Sequence, residues 1–117
     1  MEHHTILYIF DQTNRSHSVL SAINETGWEV VSTNSATEGV ALLYIMSSVT
    51  AVVLDSRAVE HAGFDLTESL RRIRPNVPVM LQCDDEAYIS PSRTESCMNT
   101  DELPSALKDL LTAEPVL

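Results

Sequence analysis

The sequence predicts an α/β fold built on a parallel sheet. Three observations carry this. Short apolar runs alternate with helical patterns; the first run, Thr5-Ile6-Leu7-Tyr8-Ile9-Phe10, is continuous rather than alternating; and 117 residues suit one domain with one core. A strand buried on one face alternates polar and apolar residues. A strand that is apolar throughout is covered on both faces, as when helices flank a parallel sheet. Residues 1–117 are therefore expected to form a single domain.

The elements follow in order. After the first strand, a helix is predicted around Ser16 to Glu25, with Val19, Ala22 and Ile23 on one face and Gly27 stopping it. Trp28 to Thr33 reads as the second strand. Ser35-Ala36-Thr37-Glu38 fits a capping box and opens a helix through Val40, Leu43, Tyr44 and Met46. Ala51 to Asp55 is the third strand, followed by a loop. Phe64 to Arg74 carries Leu66, Leu70 and Ile73 on one helical face and ends before Pro75, where the following proline disfavours helical backbone. Val77 to Gln82 is the fourth strand, with Pro78 tolerable only near its start. Pro104 to Leu111 is the last helix, with proline in its first turn. Between Cys83 and Thr100 a parallel crossover of about a dozen residues must fit beside a fifth strand. That stretch is polar, so its helix is expected to be short or absent. An irregular segment over 84–93 and a short strand near Glu95 to Met98 are expected instead.

Composition excludes several classes of function. The formal charge is −10 and the one lysine is Lys108. Nucleic acid is held by Lys and Arg neutralising phosphates, so direct nucleic-acid binding is not expected. No run of about 18 apolar residues exists to span a membrane. The start, Met1-Glu2-His3-His4, lacks the basic region and cleavage site of a signal peptide, so a cytoplasmic location is expected. Cys83 and Cys97 are too few for a zinc site and are read as small buried thiols in such a compartment. His3 and His4 are read as solvated terminal residues, His17 and His61 as surface residues on a helix and a loop. No nucleophile elbow and no Gly-rich phosphate loop is present.

Two acids stand out. Asp11 follows the first strand and Asp55 ends the third. In open α/β sheets ligands bind outside the carboxyl ends of the strands. If these strands are neighbours, both carboxylates share one crevice, and such a pair can hold a hard cation such as Mg²⁺. Either acid alone reads equally well as a turn former or helix cap.

The run Ile6 to Asp11, the Leu54-Asp55 strand end, Gly63-Phe64-Asp65-Leu66 and Val77-Pro78-Val79-Met80-Leu81 resemble the receiver domain of bacterial response regulators in two-component signalling. The resemblance covers residues 5 to about 83 without a gap. It implies a flavodoxin-like, doubly wound sheet of five strands in the order 2-1-3-4-5. It further implies that Asp55 accepts a phosphoryl group in a phosphorelay and is not part of an enzyme in the ordinary sense. The implied metal set is Asp11, Asp55 and the backbone carbonyl of Arg57, holding Mg²⁺ weakly. The implied partner is a sensor histidine kinase or other signalling protein, with room for a homodimer.

The departures from the family are as informative. Phe10 stands where the family has its first acid; a one-residue shift would instead put Asp11 there and Gln12 second. Cys83 stands at the switch position, where the family has Thr or Ser. Val59 replaces a proline. The family's lysine after strand five is missing; Asn99 or Thr100 takes its place, and Arg93 is the nearest cation in the sequence. A charge-assisted hydrogen bond is worth about 1.5–3 kcal/mol, and moving a two-state equilibrium from 1:99 to 99:1 takes about 5.5 kcal/mol. Losing two such contacts removes much of the drive of a switch. The expectation is a phosphoacceptor with weakened switching. The alternative is a pseudo-receiver that binds proteins without phosphorylation, and a third reading is a flavodoxin-like fragment or enzyme subunit with no signalling role.

Overall fold

A computed structural model describes residues 4–11, 13–83, 97–98 and 100–112. Its β3 (Val49–Asp55) lies at the centre of one sheet, flanked by β1 (Thr5–Ile9) and β4 (Val79–Gln82). β2 (Glu29–Thr33) forms one edge and β5 (Cys97–Met98) the other. Every pairing is parallel and the order is β2-β1-β3-β4-β5, as expected.

The continuous apolar strands are explained by cover on both faces. Ile6 to Ile9 and Ala51 to Leu54 are all 0% exposed. Side chains alternate across a strand, so Leu7, Ile9, Val52 and Leu54 pack on one side with Leu43, Leu66 and Leu70. Ile6, Tyr8, Ala51 and Val53 pack on the other with Val19, Ala22, Ile23, Leu103 and Leu107. The first layer is α2 (Ala36–Ile45), α3 (Ser56–His61) and α4 (Leu66–Ile73); the second is α1 (Thr13–Asn24) and α5 (Leu103–Thr112). After α1 the chain turns through Gly27, whose φ of 83° is a left-handed conformation that glycine adopts without steric cost.

Ser35 caps α2 by accepting from the Glu38 N–H at 3.1 Å. The Ser35 N–H donates to Thr33 Oγ1 instead, so the return half of the capping box is supplied by Thr33. At Gly39, a Cβ would collide with the Ile9 side chain, so glycine lets α2 lie close on β1. Asp65 caps α4 in the same way, accepting from the Glu68 N–H at 3.1 Å.

Four expectations need correction. The stretch after Asp55 is helical over Ser56–His61, because Asp55 itself caps it: its Oδ1 accepts from the Arg57 N–H at 3.1 Å. His61 is therefore on a helix and not on a loop. β4 begins after Pro78, which keeps its proline out of the ladder as a donor; its carbonyl still accepts from the Val52 N–H. His4 is not a solvated terminal residue. It stacks edge-on against Trp28, with centroids 4.6 Å apart, and its Nδ1 contacts Thr50 Oγ1 at 3.2 Å. Finally, Cys83 is disulfide-bonded and not a thiol. The side chain of Cys97 lies outside the description, as do His3, Gln12, Arg93, Asn99 and the whole of 84–96, on which the expected truncated helix falls. Among the described residues, no helix is long and apolar enough to cross a membrane.

Candidate functional site

The two candidate acids lie at the carboxyl ends of neighbouring strands. The β1–β3 register pairs Ile9 with Leu54, so Asp55 ends β3 and Asp11 follows two residues after β1. Asp55 is 6% exposed. Its Oδ1 caps α3, and among the described residues no hydrogen bond is made by its Oδ2.

α3 links the two carboxylates. It starts on Asp55, and its last residue, His61, reaches Asp11: Nδ1 to Oδ2 is 3.0 Å. The imidazole is 57% exposed and the carboxylate 20%, so water screens the pair. The sequence marked Asp11 and Asp55 but missed His61. The missed signal was Asp55 as an N-cap followed by Arg57, Ala58 and Glu60, all good helix formers. The Arg57 carbonyl lies in the first turn of α3, where helical geometry directs it towards the amide four residues on, at His61.

Phe10 occupies the strand end between β1 and Asp11. Its ring lies 5.4 Å from that of Tyr8 and packs against the Ile6–Tyr8 layer, while its N–H donates to the Thr33 carbonyl at 3.0 Å. An apolar ring thus extends the core past the end of β1 on that face. On the other side, Cys83 follows β4 directly and is disulfide-bonded. Gln82, 4% exposed, donates from Nε2 to Thr100 Oγ1 at 3.3 Å and so ties the end of β4 to the turn that leads into α5. Sequence reading singled out Thr100 but not Gln82; a polar residue ending an apolar strand was the available signal.

Among the described residues, no group of three or more His, Cys, Asp or Glu is placed to hold a metal ion. Mg²⁺ commonly uses only one or two carboxylates and keeps several waters. Asp11 and Asp55 fit that modest requirement, with the His61 imidazole as a competitor for one oxygen of Asp11.

No family model matches the sequence, and no curated protein does. Solved structures do match. A response-regulator receiver domain protein (CheY-like) from Methanospirillum hungatei superposes with a TM-score of 0.76 at 20% identity, covering 95% of each chain. The receiver domain of a sensor histidine kinase from Pseudomonas aeruginosa, with magnesium coordinated in its active-site cleft, gives 0.75 at 14% identity, covering 96% of this chain and all of that one. The lysine decarboxylase of Francisella novicida gives 0.64 at 13% identity, where this chain corresponds to 17% of the longer one. The fold is therefore that of response-regulator receiver domains, and the same architecture also occurs inside an enzyme of different chemistry.

Proposed function

We propose that this chain is a signal receiver in which Asp55 accepts a phosphoryl group with Mg²⁺, and in which the switch that follows is weakened. The observation that carries this reading is the pair Asp11 and Asp55 at the carboxyl ends of adjacent parallel strands, with Asp55 nearly buried. That is the crevice where open α/β sheets take their ligands.

Phosphoryl transfer needs positioning and charge neutralisation more than covalent help from the protein. An Asp55 oxygen attacks phosphorus in line, forming an O–P bond as the P–N bond of a donor phosphohistidine breaks. The departing imidazole nitrogen keeps the bonding pair and takes up a proton. A bound Mg²⁺, held by Asp11 and Asp55 with water completing its shell, would neutralise charge on the phosphoryl oxygens. The donor chemistry fits a sensor histidine kinase or another phosphorelay protein as partner. With a charge of −10, the chain is poorly suited to nucleic acid.

The weakened switch follows from what stands around Asp55. A disulfide sulfur at Cys83 has no proton to donate to a phosphoryl oxygen. The Thr100 hydroxyl is engaged by Gln82, and the one lysine, Lys108, lies within α5. Among the described residues, neither position thus offers the charge-assisted bond of about 1.5–3 kcal/mol that the resemblance implies.

The His61–Asp11 contact favours a second reading, a pseudo-receiver in which the imidazole takes the place of the cation and the domain acts through its surface alone. Intact-mass measurement after treatment with acetyl phosphate and Mg²⁺ separates the two. One added phosphoryl group on wild type and none on Asp55→Asn supports the first reading. No addition to either protein supports the second.

A further inference from the structure

α2 is apolar almost all round, with Glu38 as the one charged residue among ten. Its inner side, Gly39 and Leu43, is buried against the sheet. Its outer side is left open: Tyr44 is 75% exposed and Ile45 70%. A helix without a polar face belongs inside a protein or against a partner. Beside it, Phe64 is 41% exposed, and a groove of about 460 Å³ runs between α2 and α4, lined by Val40, Tyr44, Ile45, Phe64 and Ile73 among others. Single exposed apolar residues are ordinary, but a contiguous patch marks an interaction surface.

The charges around the groove identify the occupant. α2 and residues 64–74 together hold three acids, Glu38, Asp65 and Glu68, and three bases, Arg71, Arg72 and Arg74. This face is balanced in a molecule of net charge −10. It is also sorted. Both helices lead from one parallel strand to the next and run the same way. The acids sit in or beside the first turns of both helices, and the three arginines at or just past the end of α4. Arg74 lies against the end of α2, donating to the carbonyls of Met46 at 2.9 Å and Ser47 at 3.2 Å.

We propose that a second copy of this chain docks on the α2–α4 face, antiparallel about a two-fold axis across the groove. In a two-fold interface the same patch meets itself, so residue i faces j and j faces i. An antiparallel arrangement lays the acidic end of each copy on the basic end of the other and covers Tyr44, Ile45 and Phe64. The net charge of −10 otherwise sets two copies against each other. Glu68 and Arg72 already pair within α4 at 3.2 Å, but both are well exposed and can exchange partners at little cost. The contact is small. A ten-residue helix is about 15 Å long, and two helices side by side are about 20 Å across, less than the roughly 800 Å² per partner of a standard interface. The dimer is therefore weak and in rapid exchange.

Sedimentation equilibrium of the whole chain, from micromolar to millimolar concentration, tests this. The apparent mass should rise from 12.9 kDa towards twice that value. The double variant Tyr44→Ser, Ile45→Ser should weaken association roughly tenfold or more, with circular dichroism unchanged because both side chains are exposed. Arg72→Glu alone should also weaken it, and adding Glu68→Arg should restore it, because the antiparallel axis stacks α4 on α4 and the swap re-forms the cross-copy pair. A mass that stays monomeric at millimolar concentration overturns the proposal and leaves the groove to a helix of another protein. Association that is indifferent to Tyr44 and Ile45, or that the charge swap does not restore, overturns it as well.

Discussion

At the centre of the sheet, Ile6 to Ile9 and Ala51 to Leu54 are sealed from water and pack into apolar clusters with two helical layers. One or two residues further along the same strands, Asp55 caps α3 and Asp11 is bonded by His61. The first region follows one rule, burial of apolar area, and many apolar sequences can meet it. In the second region each polar atom has competing uses: a carboxylate can cap a helix, pair with an imidazole, hold a cation or attack phosphorus. A receiver-like sheet can thus form whatever residues line its crevice.

The comparison breaks most visibly at the centre. Leu54→Ala should cost about 2–5 kcal/mol in urea unfolding, because Leu54 is 0% exposed between β1 and β4 and its removal leaves a cavity. A cost below 1 kcal/mol, on that scale of core truncations, would mean the strand is not packed as described. At the crevice the effects should be smaller. Asp55→Ala should lose the α3 cap and about 0.5–2 kcal/mol, whereas Asp55→Asn should keep most of that stability, because asparagine caps as well as aspartate. The pair of variants therefore separates the structural role of Asp55 from its chemistry. His61→Ala should change stability by less than about 1 kcal/mol, since the pair it breaks is exposed. The same variant should strengthen Mg²⁺ binding, followed by Trp28 fluorescence or NMR shifts, by releasing an oxygen of Asp11. Unchanged or weaker Mg²⁺ binding would show that His61 is not the competitor.

The same contrast explains what could be read in advance. The two-sided burial of β1 and β3, the cap at Ser35 and the helix end before Pro75 follow from periodicity and turn chemistry, which are local; the strand order came with the family resemblance. The acids at 11 and 55 were legible because strand ends are legible. The α3 helix was not anticipated because Asp55 reads equally well as a ligand, a turn former or a cap, and that ambiguity left the following residues as a loop. His61 was missed for the same reason: its contact with Asp11 spans fifty positions and depends on α3 being helical. Cys83 was read by compartment, and its disulfide depends on strand neighbours that no local pattern reveals. Gln82 was passed over because its partner, Thr100, lies beyond a long crossover.

The central claim is that Asp55 accepts a phosphoryl group while the response beyond it is weak. Amide NMR shifts of the whole chain, with and without beryllofluoride as a phosphoryl mimic in the presence of Mg²⁺, test both halves together. The account predicts changes at Asp11 and across Asp55 to Ala58, with little change in α5 from Leu103 to Thr112. Shifts that extend through α5 as strongly as at Asp55 would contradict the weakened switch, and the absence of any shift at Asp55 would contradict its role as acceptor.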